Sequence, residues 1–339
     1  MSEPLVSVNM VVFNGERFIG EAIQSILDQT YTHFELVIMD DGSTDNTNII
    51  VNSFSDPRIQ FITSEKNNGI VHARNTALDI SKGDYIAILD ADDISLPARL
   101  EVEVSFLESN PEFGLVGGRA ELIDENGEGL NKLQSLSLTS EATQVHLLFK
   151  NCFTHSTVMY RRKELTKYNF NANVPGSEDY DVIVKIGSQT KLKNLPDIVS
   201  KYRVHDNNIS KKSKVIEKNN SQIISDQLHL LGLNPSKKEL KIHFQLTKKT
   251  EHDNFQRVSD TATWLDSLFI SNQTKEIYPE PEFYNRVAGY WFNIFNNVEM
   301  HNLELFGKYI KSPILKHSNR QIINHFKYFI KCLIHYSKN

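Results

Sequence analysis

The 339-residue chain contains little cysteine and no long apolar run. Its two cysteines, Cys152 and Cys332, lie far apart and in no metal-ligand spacing, so they give no sign of disulfides or zinc. No apolar stretch approaches the roughly 18 to 20 residues that span a bilayer. Residues 1–4 lack the basic and apolar regions of a signal peptide. We therefore expect a cytoplasmic location.

A basic surface is also lacking in the front of the chain. The formal net charge is −5, and acids outnumber bases up to residue 214, whereas bases are in excess after it. Nucleic-acid phosphates require a basic face, so this balance argues against a nucleic-acid partner. It is compatible with a site in which carboxylates hold a cation.

Strands and helices alternate in the front half. Apolar runs predict buried strands at 6–13, 36–39, 59–62 and 85–89, and apolar residues at helical spacing predict helices between them. Pro97 stands where a first-turn proline would begin a further helix. Alternation of this kind predicts an α/β fold with a mainly parallel sheet flanked by helices. Beyond the basic run at 211–214 the chain is polar and helical, so we place a domain boundary near residue 213.

Two acidic clusters follow predicted strands. Asp40 and Asp41 end the second strand, and Asp90, Asp92 and Asp93 end the fourth. Ligands of open α/β sheets bind at this edge, and a divalent cation would relieve the repulsion between neighbouring carboxylates. The alternative is that these aspartates form turns and helix caps. Two clusters at equivalent strand ends favour the cation site.

A third acidic segment, 176–181, precedes a helical pattern. A carboxylate here could act as a general base toward an acceptor hydroxyl. The alternative is a capping arrangement in which Ser177 is the N-cap and the acids stand in the first turn. Both readings can hold together.

The order and spacing of these segments resemble family 2 glycosyltransferases over about residues 5–210. The motifs that carry the resemblance are Val6-Ser7-Val8 with Phe13-Asn14, Asp40-Asp41-Gly42-Ser43-Thr44-Asp45, Asn68-Gly69 with Ala73-Arg74-Asn75, and Asp90-Ala91-Asp92-Asp93 with Pro97 and Arg99-Leu100. The similarity is greatest to bacterial enzymes of surface-polysaccharide synthesis. It implies a GT-A fold with a Rossmann-like nucleotide-binding half, a nucleotide-sugar donor and Mn²⁺ or Mg²⁺. Residues 1–213 would form this domain, with a donor half to about 118 and an acceptor half over 119–213.

The resemblance also implies roles for donor-side residues. Asp41 would accept a hydrogen bond from the ring N–H of the donor base, and Val11 and Phe13 would line the base and ribose pocket. Relatives often carry Pro and Tyr before Asn14, so the identity of the donor is left open, with UDP the default and dTDP and GDP as alternatives. Asp90-Ala91-Asp92 would form the metal motif, with Asp92 the direct ligand and Asp90 nearer the ribose.

Further roles follow from the same resemblance. Arg74 is a candidate either for the donor diphosphate or for a salt bridge between helix and sheet edge. Asp179 would be the catalytic base, with Glu178 beside it in the acceptor site. His155 matches an acceptor-side histidine, although a lone histidine beside a strand is more often structural. His205 matches a position that can reach the metal or diphosphate when the loop closes, and imidazole suits Mn²⁺ better than it suits Mg²⁺ or Ca²⁺.

Residues 214–339 lie outside the resemblance and read as a helical domain of unknown role. The tail carries an apolar stripe with basic flanks and no acid, made of Ile322, Ile323, Phe326, Phe329, Ile330, Leu333 and Ile334 with Lys316, Arg320, Lys327, Lys331 and Lys338. This pattern fits a helix lying on the inner face of an anionic membrane. It also fits a helix packed on the protein's own core.

The expected activity is that of an inverting hexosyltransferase. It would move a sugar from a nucleoside-diphosphate sugar to a glycan or lipid-linked acceptor in surface-polysaccharide synthesis. Two alternatives stay open. The first is a nucleotidyltransferase, which would want a glycine-rich loop after the first strand, where this chain has Asn14-Gly15-Glu16-Arg17. The second is an inactive sugar-nucleotide-binding subunit.

Overall fold

The computed structural model describes residues 3–135, 138–206, 208, 213–248, 254–296 and 303–317. The chain divides into two compact units. The first comprises Met1–Gln144 and Asn151–Asn220, and the second comprises Val145–Lys150 and Ser221–Asn339. The boundary near residue 213 stays a prediction.

The first unit contains one nine-stranded sheet in the order β3-β2-β1-β4-β8-β6-β9-β5, with β7 paired to β6. β1, β2, β3 and β4 are parallel, whereas β8 runs antiparallel to both β4 and β6. The predicted α/β class is confirmed. The strands are β1 (Val6–Val12), β2 (Phe34–Asp40), β3 (Ile59–Thr63), β4 (Tyr85–Ile88), β5 (Ile94–Ser95), β6 (Phe113–Ile123), β7 (Gly129–Gln134), β8 (Met159–Arg161) and β9 (Lys191–Arg203).

Helices flank this sheet and connect its strands. The helix expected after Pro97 begins at Arg99, so the proline precedes the helix and does not stand in its first turn. The helices through residue 187 are α1 (Ile19–Leu27), α2 (Thr47–Asn52), α3 (Ile70–Ile80), α4 (Arg99–Ser109), α5 (Ser140–Leu147), α6 (Arg162–Leu165) and α7 (Glu178–Gly187).

The core occupies both faces of the parallel strands, because successive side chains of a strand point to opposite faces. Val8 and Met10 of β1 belong to a large cluster with Ile19 and Ile23 of α1. On the other face, Val11 packs against a smaller cluster of Val37, Met39, Ala73 and Ala77, which brings α3 against β1 and β2. Burial on both faces explains why these strands read as continuous apolar runs.

The described elements beyond residue 212 are all helices, as the sequence predicted. The remaining helices are α8 (Ser213–Leu230), α9 (Lys237–Gln245), α10 (Phe255–Lys275), α11 (Glu282–Asn296), α12 (Leu303–Lys311) and α13 (Pro313–His317). In the second unit the buried His243 accepts from the Trp264 indole N–H at 3.2 Å, and its other ring nitrogen lies 3.0 Å from the Leu148 carbonyl oxygen.

No helix among the described residues combines the length and apolarity needed to cross a membrane. The apolar stripe of the tail begins beyond residue 317 and therefore lies outside the described residues.

Two glycines with positive φ, Gly42 directly after Asp41 and Gly69 directly before α3, offer a matched pair of substitutions. Gly42 has φ +80°, and a Cβ there would lie 2.6 Å from the backbone carbon of Lys66. Gly69 has φ +95° with no atom within 4 Å of its Cβ position. We expect G69A to cost about 1 to 3 kcal/mol from backbone strain alone.

G42A should cost about 1 to 3 kcal/mol more than G69A, because it adds a backbone clash. Urea unfolding of both variants and the wild type measures the difference. Equal losses of stability would contradict the close approach of Gly42 to Lys66.

Candidate active site

The candidate site lies where the parallel strands end. β1 pairs with β2 on one side and with β4 on the other, so the carboxyl ends of the three strands share one edge of the sheet. Asp41 follows β2 directly, and Asp90 and Asp92 follow β4. The convergence expected from the sequence is therefore present on the donor side.

Hydrogen bonds connect the loop after β1 to the loop after β2. The backbone N–H of Asn14 donates to Ser43 Oγ at 2.7 Å, and the N–H of Thr44 donates to Asn14 Oδ1 at 2.9 Å. Asn14 adopts φ +53°, a left-handed conformation that asparagine tolerates better than most residues. Phe13 is 48% exposed beside this turn, so much of its ring is available to a ligand.

Asp41 is buried and holds the turn that precedes α3. Its Oδ1 accepts the N–H of Asn68 at 2.9 Å, and its Oδ2 accepts the N–H of Gly69 at 2.8 Å. A carboxylate oxygen has two lone pairs and can accept a second hydrogen bond. The predicted contact with a nucleobase therefore stays a prediction, beside a structural role that the sequence did not suggest.

Arg74 connects the end of β4 to the start of α7. One guanidinium nitrogen lies 3.1 Å from Asp90 Oδ1, and another lies 2.5 Å from Glu178 Oε1. Burial disfavours the charged arginine, but the two carboxylates outweigh this effect and hold its pKa above the usual value. Of the two alternatives for Arg74, the described structure contains the salt bridge.

Glu178 and Asp179 have different surroundings although they are adjacent. The side chain of Glu178 is 1% exposed, and its Oε2 accepts the N–H of Gly176 at 2.5 Å. Asp179 is only partly buried, and its Oδ2 accepts from Asn151 Nδ2 at 3.1 Å. Burial and the nearby charge of Glu178 raise the pKa of Asp179 to about 6. Asp179 is thus the acid whose carboxylate can reach a ligand and take up a proton near neutral pH.

Asp92 and His205 are in contact at the edge of the cleft. Asp92 Oδ2 lies 2.8 Å from His205 Nε2, and both side chains keep some exposure. Burial and the negative charge of Asp90 raise the pKa of Asp92. No three or more His, Cys, Asp or Glu side chains come together as a metal-holding group in the described part of the chain. Of the predicted ligands, Asp92 and His205 meet, whereas Asp90 contacts Arg74.

Arg203 was not singled out from the sequence, yet it holds the loop that carries Asp92. Its backbone N–H donates to Asp93 Oδ1 at 2.8 Å, and its Nε donates to the Asp92 carbonyl oxygen at 2.8 Å. A guanidinium nitrogen also lies 2.5 Å from Glu21 Oε2 on α1. Its position two residues before His205 in the Tyr202-Arg203-Val204-His205 motif was the available signal.

His155 lies buried beneath the site. Its ring meets Tyr160 and Phe170 edge-on, at centroid distances of 6.4 and 5.9 Å, and neither ring nitrogen has a hydrogen-bond partner among the described residues. Burial, with the nearby charges of Arg74 and Arg99, lowers its pKa well below the usual range, so the imidazole is neutral. Its acceptor-side role stays a prediction.

The remaining predicted residues lie at the same edge. Val11 and Ala91 are both partly buried, and Val11 lines a small cavity with Asp90 and Arg74. Phe170, which the sequence did not indicate, lines this cavity too, and Asn75 fixes it by bonding both its N–H and its carbonyl at 2.9 Å.

Comparison with known proteins finds similarity to glycosyltransferases. The family model described as Glycosyl transferase family 2 matches residues 7–168. An uncharacterized glycosyltransferase of Methanocaldococcus jannaschii is 33% identical over 221 residues, which cover 63% of this chain and 76% of that protein. The Escherichia coli UDP-Glc:alpha-D-GlcNAc-diphosphoundecaprenol beta-1,3-glucosyltransferase WfgD is 35% identical over 213 residues, 62% of this chain and 81% of WfgD.

Solved structures share the fold at low sequence identity. S. aureus TarS 1–349 in complex with UDP-GlcNAc has a TM-score of 0.56 at 16% identity, covering 85% of this chain and 88% of that one. The mannosyltransferase PcManGT from Pyrobaculum calidifontis, in complex with GDP-Man and Mn²⁺, has a TM-score of 0.55 at 18% identity, covering 98% and 88%. These neighbours have the GT-A fold, which confirms the predicted architecture.

The buried Arg74–Glu178 pair yields a stability prediction. Arg74→Met leaves Glu178 charged and unpaired in the interior, and we expect a loss of about 3 to 5 kcal/mol in the free energy of unfolding. The double variant R74M/E178Q removes the stranded charge as well as its partner, so it should be more stable than R74M alone.

Urea unfolding of R74M, E178Q and the double variant completes a double-mutant cycle. If the losses of the two single variants simply add in the double variant, the two side chains are not coupled.

Proposed function

Because this chain belongs to glycosyltransferase family 2, it is an enzyme that transfers a sugar, and we propose that it moves the sugar from a nucleoside-diphosphate sugar to an acceptor hydroxyl with inversion. Family membership decides against the nucleotidyltransferase and the inactive subunit that the sequence left open. One further relative, at 32% identity over 214 residues, is named as the O-antigen biosynthesis glycosyltransferase WbnJ of Escherichia coli, which supports a place in surface-polysaccharide synthesis.

One arrangement of charges supports the proposal most strongly. Asp90, Arg74 and Glu178 form a continuous ion-paired chain from the end of β4 to the start of α7. Asp179 follows Glu178 at once, so a partly exposed carboxylate stands on the acceptor side of a cleft whose donor side ends in Asp90. A displacement needs a base and a leaving group on opposite sides of the reacting carbon, and this layout provides for both.

Asp179 is the proposed general base. It accepts the proton of the acceptor hydroxyl as the oxygen attacks the anomeric carbon and the bond to the diphosphate breaks. Its pKa of about 6 leaves it ionised at neutral pH yet basic enough for the transfer. Asn151 positions one of its oxygens, and the other can face the acceptor.

A divalent metal is the proposed cofactor, and the chemistry of the donor set fits it. Asp92 and His205 bring a carboxylate oxygen and an imidazole nitrogen together at 2.8 Å, a combination that suits Mn²⁺. Burial raises the pKa of Asp92 most and the negative charge of Asp90 raises it further, so a bound cation would relieve the repulsion between these two carboxylates. When bound, the cation would neutralise the negative charge of the departing nucleoside diphosphate. The hydrogen bond from Arg203 Nε to the Asp92 carbonyl oxygen fixes the backbone of this proposed ligand.

We propose a uridine diphosphate donor and a lipid-linked saccharide acceptor. WfgD, the relative at 35% identity, is named for a UDP-Glc donor and a GlcNAc-diphosphoundecaprenol acceptor. Asp41 would accept the single ring N–H that uracil offers. Thermal-shift screening of UDP-, dTDP- and GDP-sugars with Mn²⁺ tests the donor, since a ligand that binds the folded state raises the melting temperature. A larger rise with GDP-sugars than with UDP-sugars would overturn the choice of base.

The base assignment predicts a specific kinetic defect. Asp179→Asn should lower kcat about 10²- to 10⁴-fold while the affinity for the donor changes little. Asp181→Asn, in the same helix and ion-paired with Lys185 at 2.6 Å, is the charge-matched control and should keep most of its activity.

The pH profile tests the same residue. The base works only when ionised, so wild-type kcat/KM should rise with pH through about 6 and level off above it. Near-normal turnover in D179N, or an unchanged inflection near pH 6, would show that another group is the base.

The metal assignment predicts a binding defect. Asp92→Asn should abolish the Mn²⁺-dependent part of nucleotide binding, measured as the difference in Kd with Mn²⁺ and with EDTA. D79N, which removes an exposed acid from α3, is the control and should retain the full difference. A metal-dependent Kd in D92N equal to that of the wild type would contradict the role of Asp92.

A further inference from the structure

Phe18 lies directly before α1, and its partly buried ring contacts three nitrogen-bearing side chains. The ring centroid lies 5.1 Å from that of the His205 imidazole, with 39° between the two planes. The guanidinium carbons of Arg203 and Arg17 lie 4.7 and 4.9 Å from the same centroid, and the face of an aromatic ring attracts cations. None of the roles assigned above uses Phe18. Its side chain nevertheless joins the start of α1 to the segment that ends β9.

The main chain fixes the point from which this ring extends. The N–H of Phe18 donates to the Gly15 carbonyl oxygen at 3.1 Å, and the Phe18 carbonyl oxygen accepts the N–H groups of Glu21 and Ala22, both at 3.1 Å. With the backbone bonded on both sides, only the side-chain torsions direct the ring. The contacts of the ring itself therefore decide its orientation.

The two arginines hold the ring to different degrees. Arg203 is buried, and its guanidinium is also paired with Glu21 of α1 at 2.5 Å. Arg17 is exposed, and its pair with Glu125 at 2.8 Å is a surface ion pair of the kind that contributes little. The guanidinium of Arg203 is therefore the firmer of the two contacts, and it comes from a residue two positions before His205.

The orientation of the His205 imidazole is the property that the Phe18 ring can control. The backbone of His205 is fixed, because its N–H donates to Asn208 Oδ1 at 2.6 Å. The torsion that rotates an imidazole is broad, so a fixed backbone does not by itself direct Nε2. Nε2 lies 2.8 Å from Asp92 Oδ2 while the Phe18 ring packs against the same imidazole. Groups that orient a ligating histidine contribute to metal affinity.

We propose, on the basis of the metal role proposed above, that Phe18 is a positioning residue for metal binding. Its ring limits the rotation of the His205 imidazole to the orientation in which Nε2 and Asp92 Oδ2 can share one cation. This role needs no contact between Phe18 and the nucleotide, so loss of the ring weakens only the metal-dependent part of nucleotide binding. A phenylalanine that merely anchored α1 would instead affect nucleotide binding equally with and without metal.

Substitution of Phe18 tests this role through binding. The Kd of UDP is measured by isothermal titration calorimetry with EDTA and with Mn²⁺, and the first value divided by the second gives the metal-dependent ratio. Phe18→Leu should reduce this ratio roughly 2- to 10-fold, as expected for the loss of one aromatic contact, and should leave the Kd in EDTA unchanged. Phe18→Tyr keeps the ring and should keep the ratio.

Phe106→Leu is the matched control. Phe106 of α4 contacts Phe113 at the same centroid distance of 5.1 Å, and Phe113 lies at the opposite end of the β6–β9 pair from Arg203. F106L should therefore leave the ratio unchanged. A wild-type ratio in F18L, an equal loss in F106L, or a reduced ratio in F18Y would overturn the role of Phe18 alone. A wild type that fails to bind UDP, or binds it equally with Mn²⁺ and EDTA, would contradict the proposed function and this inference with it.

The spin-echo modulation of bound Mn²⁺ reports on the imidazole directly, because a coordinated nitrogen modulates the electron spin echo. The Mn²⁺–UDP complexes of the wild type and F18Y should show nitrogen modulation, which His205→Ala should remove and F18L should weaken. Unchanged modulation in F18L would show that the His205 imidazole needs no support from Phe18. Modulation that is absent from the wild type would show that His205 is not a ligand, and either result overturns the proposal.

Discussion

The buried guanidinium of Arg74 is the interaction on which the site depends. It stands between Asp90, at the end of a parallel strand, and Glu178, at the start of a helix some hundred residues later in the chain. Without the cation, two carboxylates would face each other in a poorly solvated cleft, where each would resist ionisation. Because one side chain pairs with both carboxylates, the end of β4 and the start of α7 are joined by charge and not only by backbone topology.

The sequence predicted those parts of the site that depend on strand ends. An apolar run followed by acids predicts both a strand and the edge of the sheet at which the carboxylates lie. Asp41, Asp90 and Asp92 could therefore be assigned to one edge from the sequence alone. The sequence also predicted two possible partners for Arg74 but could not choose between them. That choice depends on where α7 lies, which is a matter of tertiary packing.

Reasoning from the sequence missed the residues whose roles depend on partners far away in the chain. Phe170 lies in a connecting segment, and only its two hydrogen bonds to Asn75 bring it to the cavity. Asn9 lies within a strand that reads as a buried apolar run, and the pattern could not show that its Nδ2 is buried with no hydrogen-bond partner among the described residues. Arg203 is buried although arginine is usually exposed, because carbonyls and carboxylates from three other segments surround it.

The adjacent acids Glu178 and Asp179 have different surroundings, which suits the different roles proposed for them. Glu178 is fully engaged by Arg74 and by the N–H of Gly176, so its charge is balanced and its position is fixed. Around Asp179 the balance is different, because burial and the charge of Glu178 raise its pKa to about 6 although the charge of Arg74 opposes them. The ion pair of Arg74 thus fixes Glu178 in place, whereas the general-base role proposed for Asp179 depends on its partial exposure and its raised pKa.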